Sequence, residues 1–471
     1  MIELPCRPAR MLRWRDGDRT YLYNPKNNLC LATTPAFESF LDTCSTLDRA
    51  EMERHLAAVH SPDVSRDLFA RLDGIGDLLG ILEAGDAAAD PPLLAPEAEG
   101  FLDTLTLTLT HACNLRCDYC FDGLEFMKRS GTMPPETARA ALEFLFAGLG
   151  QTRRCCVIFT GGEPLLNWPV LEETVLRARD MARERHVAVE FRLKTNGLLV
   201  DDRALRFFAE HDFTVQVSID GRQEDHDRAR IDALGRGSFE RAVEASGRIA
   251  ASLGERRLQI RATVTKQNIR NYSDNLRFLL GLRAGTVSCG LVMAAPDSPH
   301  VMDAGDLAVY QDALFHFAQD IARNPQSTES RRLLAALRCG GGPYGSASGG
   351  TSQRCGCGAG LWHLSVDVDG TILPCYRLAG RPRYVMGHVE HYNWRRVREV
   401  QERVHPIYAR QHLPRCRKCW GQGICRQSCV ASHLLDRGEG RDGCGDGVVL
   451  LESILKSAVR APEAGGALMR F

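Results

Sequence analysis

"TLTLTLTHACNLRCDYC", residues 104–120, opens with Thr and Leu in strict alternation and closes on three cysteines, Cys113, Cys117 and Cys120. The alternation predicts a β-strand over 104–110. It delivers the thiols to the strand's C-terminal end with three and two residues between them, a spacing that lets them close around one metal centre. A structural zinc site is closed by four protein ligands, and His111 is the one nearby candidate for the fourth. An iron–sulfur cube also takes four thiolates as a rule. Three cysteines would therefore leave one iron open to a ligand from solution, which makes the cluster a place for chemistry. Three buried cysteines in a reduced chain are the plain alternative.

The 471-residue chain carries no net charge, with 25% charged and 44% hydrophobic residues, as a globular protein of two or three domains does. Nothing in it points to nucleic acid. No stretch reaches the roughly 18 to 20 apolar residues of a membrane span, and "MIELPCRPARMLRWRDG" lacks a secretory h-region, so a cytoplasmic protein is expected. Eighteen cysteines there are not disulfide staples. Three lie at 113–120 and nine between Cys339 and Cys444, which points to metal–sulfur chemistry in two places. Cys6, Cys30, Cys44, Cys155, Cys156 and Cys289 are scattered and read as small buried hydrophobes.

Residues 12–34 predict a β-ribbon with turns at Asp16-Gly17-Asp18 and 24–28, followed by helices near 35–44, 48–59 and 63–83. Residues 1–84 thus fit a winged-helix-like module. The Ala-, Pro- and acid-rich stretch that follows reads as a linker, 85–103. From 104 to 338 strands at 104–110, 156–160, 188–194, 213–219, 258–264 and 286–292 alternate with helical stretches. Repeated βα units imply a parallel sheet, and six of them an incomplete (β/α)6 TIM-like barrel with its chemistry at the C-terminal strand ends. Small polar residues do gather there: "GGEP" at 161–164, "TNG" at 195–197 and "SIDG" at 218–221. A glycine-rich stretch introduces a cysteine-rich module, 339–455, and a tail, 456–471.

Gly161 and Gly162 allow close approach of a bound molecule to the backbone, with Glu163 placed to accept from an ammonium group. Ser218 and Asp220, two apart, offer a hydroxyl and a carboxylate suited to a ribose diol, although Asp220 also suits a helix cap. Arg230 in "HDRAR" can fork onto a carboxylate, with Arg236 and Arg261 as competitors and a solvated charge as the alternative. An amino acid's two ends at the iron and a ribose farther along the sheet describe S-adenosylmethionine.

With "CNLRCDYC", "GGEPLLN", "TNG", "SIDG" and "HDRAR", the chain resembles the radical S-adenosylmethionine (SAM) enzymes. The resemblance implies a [4Fe-4S] cluster on Cys113, Cys117 and Cys120, SAM chelating the fourth iron, and reductive cleavage to a 5′-deoxyadenosyl radical. It also sets Tyr119 against the adenine. The order of Cys357, Cys375, Cys416, Cys419, Cys425, Cys429 and Cys444 resembles the SPASM domain and implies two auxiliary [4Fe-4S] clusters. One takes Cys416, Cys419, Cys425 and Cys444; the other takes Cys357, Cys375 and Cys429, with Cys355, Cys339 or an open iron completing it. A zinc ribbon on Cys416, Cys419, Cys425 and Cys429 is the alternative.

Among SPASM enzymes, anaerobic sulfatase maturases place an Asp where this chain has Tyr376. The likeness runs instead to maturases of ribosomally made peptides, many with an N-terminal winged element that takes the leader peptide as an added strand. The resemblance implies hydrogen abstraction from a precursor peptide or small protein subunit, then an intrapeptide cross-link. A Cys thioether is preferred over carbon–carbon and carbon–oxygen links. One electron leaves through an auxiliary cluster at the barrel mouth, where the clusters would exclude water, and a donor such as flavodoxin or ferredoxin supplies reduction. An iron–sulfur electron carrier or redox regulator without turnover is the reading from another class; it leaves "GGEP" and "SIDG" unexplained.

Overall fold

The computed structural model describes residues 11–24, 29–79, 102–120, 130–292, 298–324, 327–338 and 357–408, together with a few isolated positions. Alternating sequence becomes strand where expected. In the N-terminal module β1 (Arg7–Pro8) is followed by β2 (Leu12–Asp16), β3 (Arg19–Asn24) and β4 (Leu29–Ala32), and by helices α1 (Pro35–Thr43), α2 (Arg49–Val59) and α3 (Pro62–Leu79). β2, β3 and β4 form an antiparallel sheet with β3 in the middle. Thr34 and Asp48 cap α1 and α2, Asp48 with Glu51 as a full capping box. Phe40, Met52, Leu56 and Phe69 close a small core of their own. The third helix stops four residues short of its expected end, because Leu82–Glu83 (β5) leaves it to pair antiparallel with Arg7–Pro8.

The barrel strands are β6 (Thr104–Thr108), β7 (Arg154–Thr160), β8 (Ala188–Thr195), β9 (Thr214–Ser218), β10 (Leu258–Val264) and β11 (Thr286–Leu291), all parallel and in sequence order across the sheet. Their crossovers carry α4 (Pro135–Gly148), α5 (Trp168–Glu184), α6 (Asp202–Glu210), α7 (Gln223–Ala229), α8 (Phe239–Leu253) and α9 (Tyr272–Gly281), and α10 (Ala304–Arg323) and α11 (Thr328–Arg338) follow the sixth strand. This is the α/β partial barrel expected from the sequence. In β8 and β10 every second side chain is buried, and Phe191 stacks with Phe159 and Phe213 on the helix side. The alternate residues, among them Arg192, Lys194, Gln216 and Arg261, are half-buried on the other face.

Described residues beyond 356 continue this sheet. β12 (His363–Val366) pairs parallel with β6, His363 opposite Thr104, and β13 (Thr371–Leu373) and β14 (Gly387–His388) continue antiparallel to make nine strands. An otherwise open edge is thereby covered. Thr106 Oγ1 lies 2.7 Å from His363 Nε2, and Phe144 of α4 stacks on Trp394 at the start of α12 (Trp394–Tyr408). No helix among the described residues is long and apolar enough to cross a membrane.

Candidate functional site

The cysteine loop leaves β6 and is held from both sides by backbone. Leu109 N donates to Thr160 O of β7 at 2.9 Å, and farther on Arg116 N donates to Ile231 O at 2.6 Å and Asp118 N to Ala229 O at 3.3 Å. Cys120 N closes the turn on Cys117 O at 3.1 Å. Cys113 and Cys117 are half-buried and Cys120 is exposed, all three as free thiols. Burial pushes the Cys113 thiol up and that of Cys117 up to about 12. The ionised form therefore needs positive charge beside it. Arg230 Nη1 supplies some, 4.0 Å from Cys117 Sγ, while Leu115 N and Asn196 Nδ2 point at Cys113 Sγ from 3.4 and 3.9 Å. Donors around thiolates that a metal must ionise suit an iron–sulfur cluster. His111, the alternative fourth ligand, spends Nε2 on Asp367 Oδ1 at 2.8 Å, in the turn after β12.

One strand over, the chain crosses close above the end of β6. Gly162 N donates to Thr110 O and Glu163 N to Ala112 O, both at 2.8 Å. A Cβ on Gly161, whose φ is +144°, would meet Thr110 O at 2.3 Å, and one on Gly162 would meet Ala112 O at 2.3 Å. The glycines thus admit the protein's own backbone. Glu163 is fully buried and accepts from Thr195 Oγ1 at 2.9 Å, Asn196 N at 2.8 Å and Leu165 N at 3.2 Å. Burial raises its carboxyl to about 7 in spite of these donors. "GGE" and "TNG" are one hydrogen-bonded unit, and Asn196 Nδ2 extends it to Asn114 Oδ1 at 2.7 Å inside the cysteine loop.

The second unit is charged. Asp220, expected at a ribose, accepts a fork from Arg230, Nε at 2.9 Å and Nη2 at 3.1 Å, as well as Thr263 N at 2.9 Å and the Tyr119 hydroxyl. Arg230 is therefore paired within the protein and lies over the Tyr119 ring, 5.5 Å from its centroid. Burial works against the Arg230 charge, but Asp220 outweighs it and holds the guanidinium well above its ordinary range; burial likewise drives the Tyr119 phenol well up. Ser218 is half-buried at the end of β9. Arg236 is exposed and pairs with Asp232, and Arg261 packs beside Gly290 in β11. His226 opens the "HDRAR" stretch, where only Arg230 was given a role: its Nδ1 accepts from Asp220 N at 3.3 Å and its Nε2 sits 2.9 Å from Ser238 Oγ, which donates to Arg230 O. Burial pulls its imidazole down to about 4, so it is a neutral brace under the ion pair.

Cys357 and Cys375, both half-buried, are the described cysteines of the C-terminal set; Cys355, Cys416, Cys419, Cys425, Cys429 and Cys444 lie outside the described residues, as does Cys339. The register places the two that are described. His363, whose Nδ1 meets Cys357 O at 3.1 Å, lies opposite the first residue of β6, and Cys375 follows β13 at that same end. Cys113 follows the other end of β6, a strand of five residues, about 17 Å long. Lys194 Nζ lies 4.9 Å from the ring of Tyr376.

Residues 107–269 match the family model described as the Radical SAM superfamily. A cysteine-type anaerobic sulfatase-maturating enzyme of Clostridium novyi (strain NT) is 32% identical over 136 residues, 28% of this chain and 36% of that protein. Mycofactocin maturase MftC of Mycobacterium ulcerans (strain Agy99) is 28% identical over 353 residues, 72% of this chain and 87% of that protein. The solved structure of native anSMEcpe with bound AdoMet and Cp18Cys peptide shares the fold, with a TM-score of 0.59 at 20% identity over 78% of this chain and 98% of that one. The alignments span between 36% and 40% of the length of the first curated relatives.

Proposed function

We propose that the chain, whose residues 107–269 match the Radical SAM superfamily model, is a radical SAM maturase that cross-links a ribosomally made peptide. Cys113, Cys117 and Cys120 would hold a [4Fe-4S] cluster, and Gly161, Gly162, Glu163, Ser218, Asp220, Arg230 and Tyr119 would surround SAM. Bound together and reduced, these groups supply a carbon radical able to remove hydrogen from an unactivated C–H bond. The observation that carries the reading is the meeting of three strand ends: the cysteine loop is bonded to the Glu163–Thr195–Asn196 unit on one side and to the Arg230 segment on the other.

The chain's own residues do the positioning. Arg230 offsets thiolate charge at Cys117 while Asp220 and His226 keep it from rotating. Glu163 holds the Thr195–Asn196 turn and, ionised, would accept from an ammonium group. Cys357 and Cys375, with Cys416, Cys419, Cys425, Cys429, Cys444 and Cys355, would hold two auxiliary clusters, an electron sink for the reaction. The outer strands β2 and β4 offer open edges to a leader peptide.

The finer product is a Cys thioether. Support comes from Tyr376, a phenol that cannot serve as a carboxylate base for formylglycine formation, and from an alignment over 72% of the chain with mycofactocin maturase MftC, which is not a sulfatase maturase by name. The test is anaerobic incubation with SAM, reductant and the Cys-containing peptide encoded beside the gene. Loss of two hydrogens with the sulfur retained supports the thioether; replacement of the sulfur by oxygen means formylglycine, and an unmodified set of such peptides removes the substrate class.

A further inference from the structure

The last strand of the sheet carries a cluster that the radical chemistry does not use. "GHVEHY", residues 387–392, brings His388, Glu390 and His391 together in one turn, with His391 N donating to His388 O at 3.1 Å. The two imidazoles stack with centroids 5.2 Å apart and planes 23° from parallel, and Glu390 Oε2 is 4.0 Å from His388 Nδ1. One ligand atom from each residue falls within 4.8 Å of the other two.

His388 is set from behind. Its Nε2 lies 2.6 Å from the carbonyl oxygen of Asp369. A carbonyl only accepts, so Nε2 carries the proton and Nδ1 is the acceptor, taking a hydrogen bond from Glu390 N at 3.3 Å that a metal would replace. Gly370, at φ +89°, makes this seat possible, since a Cβ there would come within 2.6 Å of Nε2. Val389 N donates to Gly370 O at 3.0 Å and fixes the two turns together. An imidazole held by a backbone carbonyl, with a second imidazole and a carboxylate beside it, is the arrangement of a histidine-rich metal site.

We infer that His388, Glu390 and His391 form a surface site for a divalent transition metal, zinc in the first instance. Two imidazoles and one carboxylate suit zinc and its late-row neighbours, whereas calcium and magnesium take oxygen ligands and iron–sulfur clusters take thiolates. Three protein ligands leave a coordination position to water. The site lies in the turn that follows the edge strand β14, held to the turn between β12 and β13 by His388 Nε2 and Val389 N, far from the Cys113 loop in the chain and built without a cysteine.

The test uses the cluster-loaded protein, exposed anaerobically to low-micromolar zinc sulfate and then gel-filtered. Metal analysis counts retained zinc and iron, and X-ray absorption at the zinc edge reports its ligands. The expected result is a single zinc in a nitrogen and oxygen shell, with affinity lowered about tenfold or more by His391→Ala and by Glu390→Gln, iron unchanged in both. Both side chains are exposed, so the variants keep the fold, and a melting temperature raised by zinc in the wild type alone gives a second readout. Equal retention in wild type and variants, or no retention by the wild type, overturns the assignment.

Discussion

Removing the charge of Asp220 while keeping its shape isolates the ion pair that braces the cysteine loop. The Arg230 and Asp220 side chains are 10% and 0% exposed, so water screens neither. In Asp220→Asn one oxygen of the fork becomes an amide that offers hydrogens to a guanidinium, and the buried cation keeps only part of its compensation. Breaking a buried pair from one side costs about 3–5 kcal/mol, and the oxygen that Asn retains keeps an acceptor for Thr263 N or the Tyr119 hydroxyl, which bond different oxygens of Asp220. Arg230→Met leaves Asp220 with Thr263 N and Tyr119, a milder loss of about 3 kcal/mol. The double variant buries neither charge, so its cost falls below the sum of the singles by about 2–3 kcal/mol. Urea unfolding of the four proteins, followed by tryptophan emission under anaerobic conditions, measures that coupling. A coupling energy near zero would show that the pair is not the brace described.

Other outcomes follow from the same geometry. The Glu163 carboxyl at about 7 stands above its ordinary 4.5, so the folded barrel keeps a proton that the unfolded chain has released between those values. The resulting stabilisation, about 3 kcal/mol at most, is complete below pH 4.5, falls as pH rises and is gone above about 7; the difference between wild-type and Glu163→Gln unfolding energies across that window measures it, and a flat difference would refute it. For the same reason SAM should bind more tightly as pH rises through about 7, by calorimetry, with the dependence lost in Glu163→Gln. Gly161→Ala forces a Cβ against Thr110 O at a φ of +144°; a loss of more than about 1 kcal/mol is expected in urea unfolding, and wild-type stability would contradict the crossing. Ending the chain before residue 357 strips β6 of its partner and leaves the cavities of the buried Leu364, Val366 and Ile372 in the shared core; rapid proteolysis of the remaining barrel is expected, and a protease-resistant barrel would mean that the C-terminal strands are dispensable.

The barrel was legible because its signal is local. Strands such as "LQIRATV" are uninterrupted β-formers, and their ends fall within two residues of where alternation put them. The candidate site was legible as a set of residue types at strand ends and not as a set of bonds. Arg230 and Asp220 were each assigned an external partner, since nine intervening residues hide that one forks onto the other; Glu163 was given an ammonium, while Thr195 already faced it from the neighbouring strand. "HLSV" is too short to announce a strand, and its partner Thr104 lies far back in the chain, so the union of the C-terminal segment with the barrel needed the register. His111–Asp367 was invisible for the same reason.

The most direct measurement is deoxyadenosine release. The protein is reconstituted with iron and sulfide, reduced in the presence of SAM and compared with a variant in which Cys113, Cys117 and Cys120 are all Ala. The account predicts 5′-deoxyadenosine from the wild type and none from the variant, even where the variant retains the iron of its C-terminal cysteines. A wild-type protein with full iron content that leaves SAM intact would contradict it.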